Sequence, residues 1–243
     1  MRRDKENVGK TTHSWFKQGM FAINAQAQAF TFRVRNPRAR MLLIDANSGD
    51  GIGVPKPYDL FHNEDIADST AGMLADLARV TRADLALCEK MKSRRLTLMH
   101  RFKDVIVLAK HEDIPEHVRA NAYDYILWVS DTCGYSQHGL PQMREVASLC
   151  KNTDFIVALN VGALTRLLGV SPKNPFWRIH HAKWHPEKMI DPLWWRNTLG
   201  KRYVAASKIF HQSSNFNFQI LVLSNNLSLA SRQPPFSIIK DNR

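Results

Sequence analysis

Asp45, Glu89, Asp113 and Asp131 each end or follow an apolar run, and Gly49 and Gly51 come just after the first of these acids. Carboxylates are strong hydrogen-bond acceptors, so acids gathered at one edge of a sheet suit donors such as ribose hydroxyls and adenine amines. The stretch Met41-Leu-Leu-Ile-Asp-Ala-Asn-Ser-Gly-Asp-Gly51 reads as a buried strand stopping at a tight turn. Glycine at 49 and 51 tolerates positive φ and lets a ligand approach the backbone without a Cβ in the way. The order Asp-x-x-x-Gly-x-Gly differs from the dinucleotide fingerprint, which needs Gly-x-Gly-x-x-Gly at the turn.

Those acids can meet only if strands deliver them to the same side. Apolar runs over 41–45, 83–89, 104–109, 123–130 and 154–160 alternate with helical patterns over 90–101, 114–120, 141–151 and 161–168. Ser69 or Thr70 caps a further helix through Met73, Leu74 and Leu77. Continuous apolar strands between helices predict a parallel sheet covered on both faces, an α/β fold. Two more strands, near Tyr203–Phe210 and Phe216–Leu223, are close enough to form a C-terminal hairpin. In such a sheet ligands bind outside the carboxyl ends of the strands. The first strand ends at Asp45, the second at Glu89, the third runs into His111-Glu112-Asp113 and the fourth into Ser130-Asp131-Thr-Cys-Gly134.

The rest of the chain divides by composition. Residues 1–40 form a basic helical extension, 41–225 the main domain, and 226–243 a tail. Within the domain, 52–68 holds Gly53, Pro55 and Pro57 and reads as a long loop. Residues 171–200 hold four prolines and four of the six tryptophans, a basic, Trp-rich insertion. Net charge is +12: residues 1–40 have a basic surplus of seven and 161–243 one of nine, while 41–160 has an acidic surplus of four. Basic ends around a mildly acidic middle predict a polyanionic partner, DNA or RNA, beside a small-molecule site. Three scattered cysteines, no apolar signal segment and no long apolar run predict a reduced, cytoplasmic protein with no membrane association.

The Asp45/Gly49/Gly51 turn with acids closing the next three strands resembles the class I S-adenosylmethionine (SAM)-dependent methyltransferases over residues 35–225. That resemblance implies a Rossmann-like sheet of five parallel strands plus the hairpin, SAM as cofactor, and methyl transfer to a nucleic acid. It implies that Asp45, Gly49 and Gly51, with Asn47 between them, hold the methionine part of SAM. Glu89 then accepts the ribose hydroxyls, Asp113 (or Glu112) faces the adenine amine, and Asp131 orients the acceptor. Helix Ala71-Gly-Met-Leu-Ala75 and Asp131-Thr-Cys-Gly134 resemble, more narrowly, the three-Cys-motif partner proteins, which implies a protein partner. Amino-methylating DNA enzymes carry proline and an aromatic after that acid; here Thr132 and Cys133 intervene, and Tyr135 is the candidate stacking ring.

Other readings stay open. A degenerate site suits a binding or partner protein with the same fold, and incidental basic ends suit a small-molecule methyltransferase. Cys133 stands near the place of a pyrimidine-methylating nucleophile, but Asp131 disfavours a thiolate. Gly9-Lys-Thr-Thr12 imitates the end of a P-loop without the preceding strand or first glycine. His180, His181 and His185 lack a further ligand at metal-site spacing, so no metal is expected. In Phe176-Trp177-Arg178-Ile-His-His-Ala-Lys183-Trp184, aromatics interleave with cations that could stack bases and pair phosphates, or the stretch is a core-capping loop.

Overall fold

The first strand, β1 (Met41–Asp45), is buried at every position, as expected for MLLID in the middle of a parallel sheet. The computed structural model describes residues 14–49, 51, 69–131, 139–169, 173, 185–213, 216–228, 230–232 and 234–240. Helix α1 (Ser14–Arg35) precedes β1. Then come α2 (Thr70–Thr81), β2 (Asp84–Cys88), α3 (Lys92–Arg101), β3 (Ile106–Leu108), α4 (Asp113–Asn121), β4 (Tyr125–Asp131), α5 (Leu140–Leu149), β5 (Thr153–Asn160) and α6 (Val161–Leu168). Two short helices, α7 (Pro186–Met189) and α8 (Pro192–Thr198), lead into β6 (Tyr203–Ser207), β7 (Phe210–Ser213), β8 (Phe216–Ser224) and β9 (Phe236–Ile238).

Strand order is β3-β2-β1-β4-β5-β8-β6-β9, with β7 paired to β8 beside that path. Strands β1 to β5 are mutually parallel, and β8 runs antiparallel to both β5 and β6. Strand order reverses between β1 and β4, the place where an open sheet leaves a crevice. The α/β class and the five parallel strands are as the sequence predicts. Among the described residues the sheet has nine strands rather than seven. The expected strand 203–210 breaks after Ser207, whose Oγ donates to the Lys208 carbonyl and accepts from the Ile220 amide at 3.0 Å. A side chain there takes over a ladder bond, and the chain restarts as β7. Strand β9 is three residues long and directly follows Pro234-Pro235, too short a run to signal a strand; of its residues Phe236 alone is buried.

Alternate residues of the central strands feed two apolar layers. Leu42, Ile44, Trp128 and Phe155 face one, with Trp195 of α8. Leu43, Leu127 and Ile156 face the other, covered by α2 and by Phe21, Ala25 and Ala29 of α1. Asp191 caps α8, accepting from the Leu193 amide, and Trp195 donates its indole N–H to the Met189 carbonyl at 2.7 Å. Helix α2 begins where the sequence predicts, with Ser69 Oγ accepting from the Gly72 amide at 2.8 Å. At about 1.5 Å per residue, 22-residue α1 is roughly 33 Å long and runs alongside β4, with Lys17 reaching Asp131 at the strand's end and Phe32 stacking on Tyr125 at its start. No helix of the described residues is long and apolar enough to cross a membrane.

Candidate functional site

Asp45 closes β1 beside the reversal point, hydrogen-bonded in register between Leu87 of β2 and Val129 of β4. Its carboxyl is 1% exposed, which for a charge is a costly position. Oδ1 accepts from the Asn47 amide at 3.1 Å, whereas Oδ2 has no partner among the described residues. Burial pushes the acid up to about 7, aided by the nearby charges of Asp131 and Glu89 and opposed by the Asn47 amide and Ser48 hydroxyl. The turn after it is tied down: Ser48 Oγ donates to the Asp45 carbonyl and Ser48 N to the Cys88 carbonyl. Gly49 has φ +63°, and no atom of the described residues lies within 4 Å of where a Cβ would stand. Gly51 has φ +70° and lies against Phe102, whose Cε2 would be 2.7 Å from a Cβ. The first glycine is uncrowded by the described residues; the second lets the turn seat against Leu98 of α3 and Phe102.

Asn47 joins this turn to the fourth strand, accepting from Ser130 Oγ at 3.1 Å. Glu89 follows β2 and is nearly buried; its Oε1 accepts from the Met91 amide at 2.7 Å. At the third strand the structure separates the two acids. Asp113 turns back on its own loop, Oδ2 accepting from the Ala109 and Lys110 amides at 3.3 and 3.2 Å. Glu112 is exposed. His111 reaches across instead: Nε2 donates to the Ala46 carbonyl at 2.7 Å.

Asp131 ends β4, paired with Ala158 of β5. Its Oδ1 accepts from Lys17 Nζ of α1 at 2.6 Å, with both side chains about one-fifth exposed. The same ammonium lies 5.9 Å from the centroid of Phe218, and Phe210 stacks on Phe218 at 5.2 Å. Sequence reasoning missed Lys17 and Phe218. A lone lysine in a basic helix carries no motif, and only the packing of α1 along β4 shows which end meets which strand end. Tyr135, Cys133, Trp177, Arg178, Lys183 and Trp184, together with the 52–68 loop, lie outside the described residues. Cys88 and Cys150 are buried free thiols. Burial and surrounding acids push Cys88 up to about 12, so it is no nucleophile near neutral pH. His185 pairs with Glu187 at 3.5 Å on the surface.

Together the described residues bring Asp45, Asn47, Gly49, Glu89 and Asp131 to one sheet edge. They form two halves: a buried acid beside an open glycine turn, and a carboxylate paired with a cation near an aromatic ring. The orphan Oδ2 of Asp45 and the space over Gly49 suit a small ligand with a cationic or hydroxyl-bearing end.

No family model and no curated protein matches the chain. Among solved structures it is similar to protein LPL1258 from Legionella pneumophila, at 13% identity over 84% of this chain and 85% of that one, with TM-score 0.49. It is also similar to the plantazolicin methyltransferase BpumL in complex with SAH, at 13% identity, 91% and 88% coverage and TM-score 0.46. The fibrillarin/Nop5p complex aligns at 13% identity, 76% and 72% coverage and TM-score 0.41. At such identities and TM-scores these neighbours bear on no residue of the site.

Proposed function

We propose that the chain is a SAM-dependent methyltransferase whose acceptor is a nucleic acid. One observation carries the cofactor half: Asp45 is buried with an oxygen that no described residue satisfies, beside a glycine turn that no described residue crowds. SAM would supply a methyl group on a sulfonium. Asp45 would bind its ammonium, Asn47 and Gly49 would line the methionine end, and Glu89 would accept from the ribose hydroxyls. Asp113 spends Oδ2 on its own loop and pairs Oδ1 with the exposed Lys110 ammonium at 3.8 Å, so an adenine amine would share Oδ1 with that lysine. Asp131 is the acceptor-side group, able to orient an N–H donor and to receive its proton. Little else is needed from the protein, since positioning the acceptor and excluding water contribute much of such a rate. Nucleic acid as acceptor rests on the basic ends of the chain and on their counterion-release chemistry. Within the superfamily, we place the chain nearest the three-Cys-motif partner proteins, on the residues quoted above.

A second reading has its own observation. Lys17 already fills the hydrogen-bonding position on Asp131, which suits a protein that binds SAM without transferring its methyl. Calorimetric titration of SAM and of its demethylated product (SAH) into the wild type, Asp45→Ala and Glu89→Ala tests the pocket. Binding lost in both variants supports it; no binding by the wild type removes it. Transfer of tritium from labelled SAM to mixed DNA and RNA then separates enzyme from binder.

A further inference from the structure

We propose that a cavity at the sheet end opposite the acids is a second site, taking a single-ring base whose edge carries an N–H beside a carbonyl, as in uracil. The cavity lies between the last turns of α1, the starts of β4 and β5 and the end of β8, and holds about 210 Å³. Strand β4 is seven residues, roughly 20 Å, long, so Tyr125 in this cavity is far from Asp131 at the acid edge. The volume falls below the about 300–1,000 Å³ of pockets for drug-sized ligands, which suits one small ring rather than a whole cofactor.

Gln28 carries the argument. It is 2% exposed, and its Oε1 accepts from the Ser228 amide at 2.9 Å, which fixes the orientation of the side chain. Its Nε2 then has no partner among the described residues, and Gln28 lines the cavity. A buried donor left unpaired is costly, so a carbonyl entering here relieves that cost. One helical turn on, Phe32 stacks on Tyr125 with ring centroids 4.4 Å apart, and the Tyr125 hydroxyl donates to Asp154 Oδ2 at 2.9 Å. Burial raises Asp154 to about 6, opposed by the Ser224 and Tyr125 hydroxyls and by Lys201, so above neutral pH it is an ionised acceptor. The floor thus offers a carboxylate for an N–H, an amide donor for a carbonyl and an aromatic wall for the ring face. Uracil presents that N–H and carbonyl side by side. Cytosine has a bare ring nitrogen and an amine in their places and mismatches both groups. The rim is basic: Arg35 lines it, and Asn225 bonds the Lys151 carbonyl at 3.3 Å and the Arg202 amide at 3.0 Å. These three exposed cations would meet a phosphate left outside the cavity.

The test is an NMR titration of uridine monophosphate, cytidine monophosphate and uridine at mildly alkaline pH, read at the Gln28 side-chain amide, with and without saturating SAH. The wild type is expected to bind uridine monophosphate about tenfold more tightly than cytidine monophosphate and to shift the Gln28 signals. SAH should leave that affinity unchanged. Gln28→Glu keeps an acceptor for Ser228 but removes the donor, and should abolish the preference. Arg35→Gln, on the exposed rim, should weaken uridine monophosphate several-fold and leave uridine unchanged. A uridine hexanucleotide that binds more tightly than the monophosphate identifies a nucleic-acid strand as the source of the base; equal or weaker binding identifies a free nucleotide. Equal affinity of the wild type for the two monophosphates, no binding of either, or competition by SAH overturns the proposal. Failure of SAH to bind removes the proposed function instead and leaves the contrast between the two monophosphates intact.

Discussion

Replacing Asp45 by asparagine isolates the cost of holding an acid in the core. Its folded pKa of about 7 lies well above the ordinary 3.8, so the native state binds the proton more tightly than the unfolded chain does. Stability therefore falls as pH rises between those two values and levels off above the higher one. The full loss is about 4 kcal/mol, at about 1.4 kcal/mol for each pH unit between them. Roughly 3 kcal/mol of it falls between about pH 5 and about pH 8. Asparagine keeps the shape and cannot ionise. Its Nδ2 would sit where Oδ2 has no partner, a pH-independent cost of about 1–3 kcal/mol. The difference in slope is thus the clean readout, since Asp154, raised to about 6, contributes equally to both chains. Urea unfolding across that range should show wild type losing stability relative to Asp45→Asn by about 3 kcal/mol. Parallel curves for the two chains would refute burial as the cause of the raised acid.

If Asp45 receives the ammonium of SAM, affinity should rise with pH up to about 7 and then flatten. Calorimetry in buffers of different ionisation enthalpy should show one proton released below that pH; no buffer dependence would count against Asp45. Gly51→Ala should cost roughly 2–4 kcal/mol, adding the left-handed backbone to a clash with Phe102, whereas Gly49→Ala should cost only about 1–2 kcal/mol. Urea midpoints that rank the two the other way would contradict the close approach at Gly51. Tyr125→Phe removes the phenol that donates to Asp154 Oδ2 at 2.9 Å, and should lower stability at neutral pH by about 1–3 kcal/mol. Asp154 would then titrate still higher, and an unchanged midpoint in its pH–stability curve would argue against that hydrogen bond.

Much of the scaffold could be read from periodicity because burial on both faces leaves little freedom. MLLID, DLALC and YILWVSD are continuous apolar runs that end in, or just before, a polar group, and each became a strand. Strand ends are also where an open sheet places ligands, so Asp45, Glu89 and Asp131 could be named without coordinates. Asp113 shows the limit of that rule. Its position after β3 is right, yet one oxygen is bound to the amides of its own loop, a local hydrogen bond that spacing cannot reveal. The β6–β7 break was hidden for a similar reason: Ser207 reads as an ordinary strand residue until its hydroxyl is seen replacing a ladder bond.

Lys17 lies beyond sequence reading for a different reason, and it changes how the charge pattern is understood. Counted by segment, residues 1–40 form a basic end separate from the acidic middle. In three dimensions α1 lies across the sheet, and one of those basic residues is delivered to the acid at the end of β4. The charges of Asp131 and Glu89 repel an ionised Asp45, adding to the burial that is the main cause of its raised acid. A cation on Asp131 relieves part of that repulsion while leaving Asp45 without a counter-ion. The site is therefore unequal by construction: its acceptor half is already neutralised, and its buried half has an oxygen and a charge still to satisfy. A cationic ligand gains most in the buried half, where the dielectric is low, and an incoming amine must compete with Lys17 in the other. Removing Lys17 should thus make the acceptor half more receptive and, by exposing Asp45 to an unpaired Asp131, raise the Asp45 acid further.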